Sequence, residues 1–538
     1  MKKTKVLALL LCILLGAASL YGCAKPDDGK KNEPGKSKEQ EADTENPEDG
    51  TVSNLNEEGF PIVNEKITMT VFGARDPNHD EWEKVRVFQE YENKSNIHMD
   101  YQEVPNDGFD EKKQLLFAGN ELPDLFIRAN FTRAEITMYG VESQQLIPLE
   151  DLIEQYAPNL MKLMDQDPSI RSAITASDGH IYTLPSLDFS ATGQMGFKQW
   201  INKDWLAAVG MEVPATVEEL KAILYAFRDK DPNGNGEKDE IPLGIRQTSS
   251  VYSLGGSFGL EYQMKDTYKL VDGKLHNWLC DDEFKEYLQY LNELYSEGLL
   301  WQDYYKDDLP SWRSNLASAA YGAMYMPYTD VFVNVEDQYI GYDALTGPRG
   351  DKIWSDVTNS TTGIGAFAIS NTCTSPEAAV RWVDYFYGDE GSIFFRYGVE
   401  GETFVYDESG QPKISEDILK AEEGFMTALG KVNLVPGGGF PHVITDATDG
   451  IVASQKTKDA AALLKDNFPS TVCAKPALGL EDGERVNALE QDLFTYRDES
   501  VTRFIIGELS FDKWEEYCNT LEKNGIRELE EIYNNALK

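Results

Sequence analysis

Residues 66–73 read KITMTVFG, and this stretch decides the fold because its alternating apolar and polar side chains predict a strand. The segments that follow predict a helix over 81–94, a strand from Ile97 to Tyr101, a helix over 109–118 and a short apolar strand over 124–127. Because strands and helices alternate, the sequence predicts an α/β lobe with a parallel-rich sheet. Ligands bind at the ends of the strands of such sheets.

The same alternation continues along the rest of the chain. Residues 180–185 predict a strand that leaves the first lobe, and Thr216 predicts the cap of a helix through its spacing to Glu219. Further helices are predicted over 203–209, 216–227, 282–298, 376–387 and 511–538, and further strands over 241–243, 322–326 and 363–370.

Length and charge narrow the class of protein. The chain has 538 residues, which is too long for one core, and 41% apolar content is enough to bury two or more. A net charge of −42 opposes nucleic-acid binding and is typical of a soluble secreted protein. The six cysteines have no CxxC spacing, which argues against a zinc site, and they are too sparse to suggest a disulfide framework.

The N-terminus predicts export and anchoring. Three lysines within Met1–Lys5 precede an apolar run over 6–20, which is typical of a secretory signal. The run ends LYGC at residues 20–23, which resembles the bacterial lipoprotein signal. That resemblance implies a signal peptide over 1–22, an acylated Cys23 and a protein held on the outer face of the bacterial cell membrane. Residues 23–60 have almost no side chains to bury, so they predict a disordered acidic linker.

A calcium loop is predicted in the middle of the chain, where residues 229–240 read DKDPNGNGEKDE. Two glycines let the backbone turn so that the side-chain oxygens converge on a hard cation. Two registers fit the pattern, one beginning at Asp229 and one at Asp231, and the spacing leaves them open. Because the loop interrupts a helix-then-strand passage, the ion is predicted to be structural.

Several ordered stretches resemble the large lipoproteins among the family 1 extracellular solute-binding proteins of ABC importers. These stretches are AGNELPDLF at 118–126, NKDWL at 202–206, the calcium loop with its trailing Ile241 and Pro242, YDALTGP at 342–348, SPEAAVRW at 375–382, YGVEG at 397–401 and the tail near Trp514. The resemblance covers nearly the whole chain after residue 60.

The resemblance implies a periplasmic-binding-protein-like fold of two α/β lobes joined by hinge strands that close over a sugar or oligosaccharide. The first lobe is then 66–185 with 363–420, and the second is 186–362 with 421–538. It also implies a monomer that works with a permease and a separate ATPase. Alginate-binding relatives favour the second calcium register, which gives a Ca²⁺ site formed by Asp231, Asn233, Asn235, Glu237, Asp239 and Glu240.

Sugar contacts are predicted in loops that follow strands, because aromatic rings stack on sugar faces while amides and carboxylates bind hydroxyls. The candidates are Asn130, Phe131, Trp200, Tyr325, Tyr328, Asp330, Trp354 and Phe440. Trp205, Trp382 and Trp514 fall on helical patterns and are predicted to be core residues. Arg128 could bind a uronic or sulfated sugar, but an ordinary surface ion pair is the preferred interpretation.

Enzyme functions find little support in the sequence. Residues 255–259 match G-x-S-x-G without the strand, helix and HGGG-type segment of an esterase. HExxH and GxxxxGK[ST] motifs are absent. Paired glycosidase carboxylates could be hidden among 92 acidic residues. The predicted function is a lipid-anchored receptor that delivers an oligosaccharide to an ABC permease; the alternatives are a surface carbohydrate sensor and a glycan-active enzyme.

Overall fold

The computed structural model describes residues 54–537 except 247–249, 263–265, 307, 328–334, 452 and 470–474. The predicted signal peptide, Cys23, most of the linker, Tyr328 and Asp330 therefore lie outside the described residues. The described residues after Val52 form one compact unit with two separate main sheets. None of their helices combines the length and apolar character needed to cross a membrane.

Fourteen strands form in the described residues. They are β1 Ile67–Arg75, β2 Ile97–Pro105, β3 Leu125–Ile127, β4 Thr183–Asp188, β5 Lys198–Asn202, β6 Ile241–Gly244, β7 Tyr268–Val271, β8 Lys274–Asn277, β9 Tyr321–Met326, β10 Tyr339–Gly341, β11 Thr361–Ile369, β12 Phe404–Tyr406, β13 Pro412–Ile414 and β14 Val443–Ile444.

Eighteen α-helices lie in the described residues. They are α1 Arg86–Ser95, α2 Phe109–Gly119, α3 Arg133–Ile136, α4 Glu150–Tyr156, α5 Pro158–Gln166, α6 Pro168–Ile174, α7 Lys203–Val209, α8 Val217–Asp229, α9 Asp282–Ser296, α10 Leu309–Ala317, α11 Pro376–Asp384, α12 Asp389–Tyr397, α13 Glu416–Leu419, α14 Phe425–Leu429, α15 Gln455–Lys465, α16 Leu480–Ile505, α17 Trp514–Lys523 and α18 Ile526–Ala536. The predicted α/β class is confirmed.

The first sheet has the order β14-β4-β11-β3-β1-β2. β1 is parallel to both β2 and β3, β14 is parallel to β4, and β11 is antiparallel to its two neighbours. The parallel pairs place the carboxyl ends of β1, β2 and β3 at one edge of the sheet. Its core includes Met69, Val71, Leu125 and Trp382, all fully or almost fully buried.

The second sheet has the order β10-β5-β9-β6 and carries the larger core. Helices α8 and α9 bury apolar faces there, and the C-terminal helices α16 to α18 pack against the same core. Thr216 caps α8 by accepting from the Glu219 amide at 3.1 Å, whereas the Glu219 carboxylate accepts from Ala215 rather than closing the predicted capping box.

Three chain segments connect the two sheets. They join the first sheet at its neighbouring strands β14, β4 and β11. Charged side chains are buried beside these segments. Lys198 donates to the carbonyl oxygens of Thr192 and Met195 at 2.7 and 3.1 Å, and burial lowers its pKa to about 8. Burial raises the pKa of Asp188 to about 6 and that of Asp356 to about 7. These segments are where a hinge between the two sheets would lie.

Two boundaries differ from the sequence prediction. Leu434, Phe440 and Val443 pack in the core of the first sheet, although residues from 421 onward were assigned to the second lobe. The reason is that β14 pairs with β4, which the local sequence does not reveal.

The end of the predicted linker is also folded rather than disordered. Arg381 donates to the carbonyl oxygens of Asn56 and Gly59, and the Phe60 ring packs edge-on against Tyr91 and Tyr385 at centroid distances of 6.0 and 5.3 Å. Together with the bridge between Leu55 and Val63, these contacts hold residues 54–60 on the first core.

Candidate ligand-binding groove

A polar cavity of about 490 Å³ opens at the carboxyl ends of β1, β2 and β3. Because parallel strands end together at this edge, residues that are distant in the sequence meet here. Five exposed polar side chains line the cavity, namely Asn106, Asp110, Gln114, Asn130 and Thr132. They offer amide, carboxylate and hydroxyl groups of the kind that bind sugar hydroxyls.

Arg128 fixes the floor of this cavity. Its side chain is only 2% exposed, and its guanidinium donates to the carbonyl oxygens of Gly438, at 2.5 Å, and Ala74. Burial lowers the pKa of Arg128 to about 10, so the side chain stays charged near neutral pH. The preferred prediction of a surface ion pair is wrong, because the strand-end backbone and the glycine loop enclose this side chain.

The glycines of the loop at 437–439 allow its backbone to lie close to Arg128 and Asn130. A β-carbon on Gly437 would stand 2.8 Å from an Arg128 nitrogen, and one on Gly439 would stand 2.8 Å from Asn130 Oδ1. Both glycines have positive φ. His79 holds the preceding residue, since its Nε2 lies 2.7 Å from the Pro436 carbonyl oxygen. Burial, and then the charge of Arg128, lower the pKa of His79 to about 4, so it is neutral at physiological pH.

Lys113 supports the cavity from below. It is 1% exposed, and its ammonium lies 2.9 Å from Glu135, 3.2 Å from Asp110 and 3.0 Å from the Ala129 carbonyl oxygen. Glu135 also closes a capping box with Thr132 at the start of α3. These bonds tie α2, α3 and the end of β3 together, so the cavity has a rigid wall.

A second cavity, of about 500 Å³, adjoins the first at Thr132. One wall is α3 with its following turn, which belongs to the first sheet, and the other is formed by residues 475–490 and Tyr533 of the second core. Lys475 in this wall is paired with Asp266 at 2.6 Å and Glu490 at 2.7 Å. The two cavities together, called the groove below, therefore run between elements of the two cores.

The structure brings only one of the described sugar-contact candidates to the groove, namely Asn130, which is exposed and lines the first cavity. Five aromatic candidates are core residues instead, each at most 2% exposed: Phe131, Trp200, Tyr325, Trp354 and Phe440. Trp200 donates to the Met326 carbonyl oxygen at 3.1 Å, and Phe440 stacks on Phe395 at 4.1 Å. Their predicted stacking on sugar is thus not supported, because each ring is buried; Trp200 and Tyr325, for example, lie within strands β5 and β9 rather than in loops after them.

Residues that the sequence analysis missed form most of the groove. Asn106, Asp110 and Gln114 follow β2 and begin α2, so the strand-end rule that selected Asn130 could have selected them. The second wall gives no comparable signal, because residues 475–490 reach the groove only through the packing of α16.

The predicted calcium loop is compact and exposed. Asp231 accepts from the amides of Asn235 and Gly236, while Asn233 and Asn235 both donate to Asp239. Glu240 Oε1 is buried without a hydrogen-bond partner among the described residues. Burial, together with the nearby charges of Asp239 and Asp231, raises the pKa of Glu240.

Asp229 faces away from this arrangement. Its carboxylate is held by the Arg228 guanidinium at 2.8 and 3.1 Å, and this hydrogen bond lowers the pKa of Asp229. Throughout the described part of the chain, no three His, Cys, Asp or Glu side chains are grouped closely enough to bind a metal. Two of the loop's predicted ligands, Asn233 and Asn235, are asparagines rather than residues of these four types.

The G-x-S-x-G match is a buried turn. Gly255–Phe258 forms a 3-10 helix, and Ser257, which is 3% exposed, donates to the Leu345 carbonyl oxygen at 2.8 Å. A nucleophile elbow presents its serine at the top of a strand, so this serine is structural.

A two-core α/β fold with a polar groove between the cores is suited to binding a ligand. The model of the family "Bacterial extracellular solute-binding protein" matches residues 76–393, and the chain belongs to this family. Family membership confirms the prediction of an extracellular receptor rather than an enzyme.

Individual relatives agree with this assignment. The chain is 27% identical to the fructooligosaccharide ABC transporter substrate-binding protein FusA of Streptococcus pneumoniae serotype 4, over 87% of this chain and 89% of that protein. It is 22% identical to lipoprotein LipO of Bacillus subtilis, over 60% of this chain and 65% of LipO.

Solved structures extend the likeness to nearly the full fold. FusA of S. pneumoniae in complex with kestose matches with a TM-score of 0.66 and 25% identity, over 88% of this chain and 99% of that one. An EF-hand mutant of FusA in complex with fructo-nystose matches with a TM-score of 0.65 and 24% identity, over the same shares of the two chains. A solute-binding protein of Bifidobacterium longum infantis, associated with an ABC transporter and binding HMO, matches with a TM-score of 0.74 and 22% identity, over 88% and 98%.

Proposed function

We propose that this receptor binds an uncharged oligosaccharide in the groove and delivers it to an ABC permease with a separate ATPase. The observation that carries the proposal is the row of exposed polar side chains at the ends of β1, β2 and β3, facing a second wall built from the other core. The likeness to FusA, an oligosaccharide-binding component of an ABC transporter, supports the ligand class and the partner.

The charges of the groove favour an uncharged sugar. The charged side chains of its lining are three cations, Arg128, Arg133 and Lys475, and four carboxylates, Asp110, Glu135, Glu484 and Glu490. The lining therefore offers hydrogen-bonding groups rather than an excess of positive charge. A polyanionic sugar would also be repelled by a chain whose net charge is −42.

Calorimetry with kestose and with a galacturonate trimer tests the proposal. Kestose is expected to bind, and the Asn130→Gly and Gln114→Ala variants are each expected to weaken its binding by about tenfold, the effect of losing one hydrogen bond of about 1.4 kcal/mol. Glycine is chosen at position 130 because the residue has a φ of 47°.

Glu111→Ala is the matched control, because Glu111 is exposed on the same helix and does not line the groove. Unchanged affinity in both groove variants, or an equal loss in the control, would contradict the site. Tighter binding of the galacturonate trimer than of kestose would contradict the ligand class.

We also propose that the loop at 231–240 holds a structural Ca²⁺ in the register that begins at Asp231. The oxygen donor set of the loop fits calcium, and it includes a buried Glu240 oxygen that has no hydrogen-bond partner among the described residues. The pairing of Asp229 with Arg228 supports the register. Bound calcium would neutralise these carboxylates and fix the turn between α8 and β6. The existence of a FusA EF-hand mutant supports such a loop in a relative.

Metal analysis of purified Asp231→Asn and Asp229→Asn proteins tests the calcium site. The wild type and Asp229→Asn are expected to retain one calcium ion per chain and to lose thermal stability when the ion is chelated. Asp231→Asn is expected to bind calcium at least about tenfold more weakly, because it removes one charged ligand. Calcium loss in Asp229→Asn alone would favour the other register, and full retention in both variants would contradict the site.

A lipid anchor at Cys23 completes the proposal. The signal-like sequence before this cysteine supports acylation there, and the likeness to lipoprotein LipO agrees with it. Two acyl chains on one cysteine would be enough for stable attachment to the membrane.

A further inference from the structure

Two cysteines that are far apart in the sequence meet on the surface of the second core. Cys280 ends the turn Trp278–Cys280 after β8, and Cys518 lies on α17. Their side chains are hydrogen-bond partners of each other, and both are half-buried against the second core. Sequence spacing gave no sign of this contact.

The backbone of β8, shortly before Cys280, is held in place by α18. The Asn534 side chain accepts from the Leu275 amide at 2.8 Å, and Glu530 accepts from the Asn277 amide at 2.7 Å. These bonds fix β8 to α18 shortly before Cys280, while Cys518 lies on α17, which packs beside α18.

We propose that Cys280 and Cys518 form a disulfide bond in the exported protein. The family is extracellular, and disulfides form and persist outside the cytosol. The bond would tie α17 covalently to the hairpin, and so fix the C-terminal helices whose members α16 and α18 supply Glu490 and Tyr533 to the groove.

The oxidant in this step is a disulfide-bearing thiol oxidoreductase or a small disulfide such as oxidised glutathione. The Cys518 thiolate attacks one sulfur of the oxidant and expels a thiolate, which gives a mixed disulfide. The Cys280 thiolate then attacks the Cys518 sulfur and expels the second thiolate. Two electrons pass to the oxidant, and the two protons of the cysteine thiols go to solvent or to the expelled thiolates. Contact with Cys280 lowers the pKa of Cys518, which suits Cys518 for the first attack.

Peptide mapping of the mature secreted chain, alkylated without reduction, tests the proposal directly. The expected result is a crosslinked peptide pair that contains Cys280 and Cys518, with Cys373 alkylated. Reduction is expected to lower the thermal midpoint by roughly 5 °C, the effect of losing one disulfide. The wild-type map needs no variant that might fail to fold, and it needs no sugar, so its result is independent of the proposed function.

Variants provide the second measurement. Cys280→Ser and Cys518→Ser are each expected to abolish the effect of reductant on the midpoint, whereas Cys373→Ser, on the first core, is expected to keep it. Alkylation of both Cys280 and Cys518 in the unreduced secreted protein would overturn the proposal. A crosslink from either residue to Cys373 or Cys473 would also overturn it.

Discussion

Replacing Arg128 by methionine is expected to lower the free energy of unfolding by about 3–5 kcal/mol. The substitution removes two charge-assisted hydrogen bonds from a buried guanidinium, one to the carbonyl oxygen of Ala74, which is buried, and one to that of Gly438 in the glycine loop. The glycine loop at 437–439 would also lose its anchor beside Asn130, so sugar binding is expected to weaken. Urea unfolding followed by tryptophan fluorescence, with calorimetry for binding, measures both effects.

Arg485→Met is the matched control for this variant. Arg485 also makes two hydrogen bonds, to the Glu528 carboxylate at 2.6 and 2.7 Å, but its side chain is 50% exposed. An exposed pair contributes less than about 1 kcal/mol. Equal losses of stability in the two variants would show that Arg128 is no more than a surface residue.

Replacing Phe440 by alanine is expected to cost about 3–5 kcal/mol of stability, because a fully buried ring is removed from the first core. The ring stacks on Phe395 at 4.1 Å and meets Phe386 at 5.1 Å, so the cavity left behind has little means to close. The affinity of the folded protein for kestose is expected to change little, since the ring does not line the groove.

Phe440→Leu retains part of the volume and serves if the alanine variant does not fold. Tyr406→Ala is the control, because this ring is 43% exposed and its loss is expected to change stability by less than about 0.5 kcal/mol. A loss of sugar affinity in Phe440→Leu at unchanged stability would restore the sugar-stacking prediction for this residue.

Much of the first half of the fold was predictable from local patterns. Helix α1 buries one face and β2 begins with alternating burial, so their apolar positions repeat with the period of the element. The predicted strand at 124–127 was found because its three described strand residues are all buried. What the patterns do not contain is the order of the strands in the sheet, which depends on contacts between distant segments.

The longest helix was missed for a physical reason. Helix α16 contacts the core along a narrow stripe that includes Val486, Leu489, Leu493 and Phe504, with charged residues filling the rest of each turn. A glycine in its first turn weakens the helical signal further. The helix is stabilised by packing against α9 and α18 rather than by its own sequence.

Sugar-contact residues were predictable only in part. Asn130 was found because a polar residue after a parallel strand lies at the binding edge of the sheet. The aromatic candidates were placed in loops, but Trp200 lies within β5 and Phe440 lies just before β14, and both rings are buried in the cores. An aromatic ring in or beside a buried strand is equally suited to packing in a core and to stacking on a sugar. The sequence alone therefore does not separate the two roles.

The position of β11 between β3 and β4 has a consequence for how the protein is made. A nascent chain emerges from its N-terminus, and it contains β3 and β4 long before β11 has been translated. Until residue 369 is available, the two strands have no shared neighbour and the first core stays open. This interrupted sheet is therefore expected to complete its packing only after most of the chain has been made.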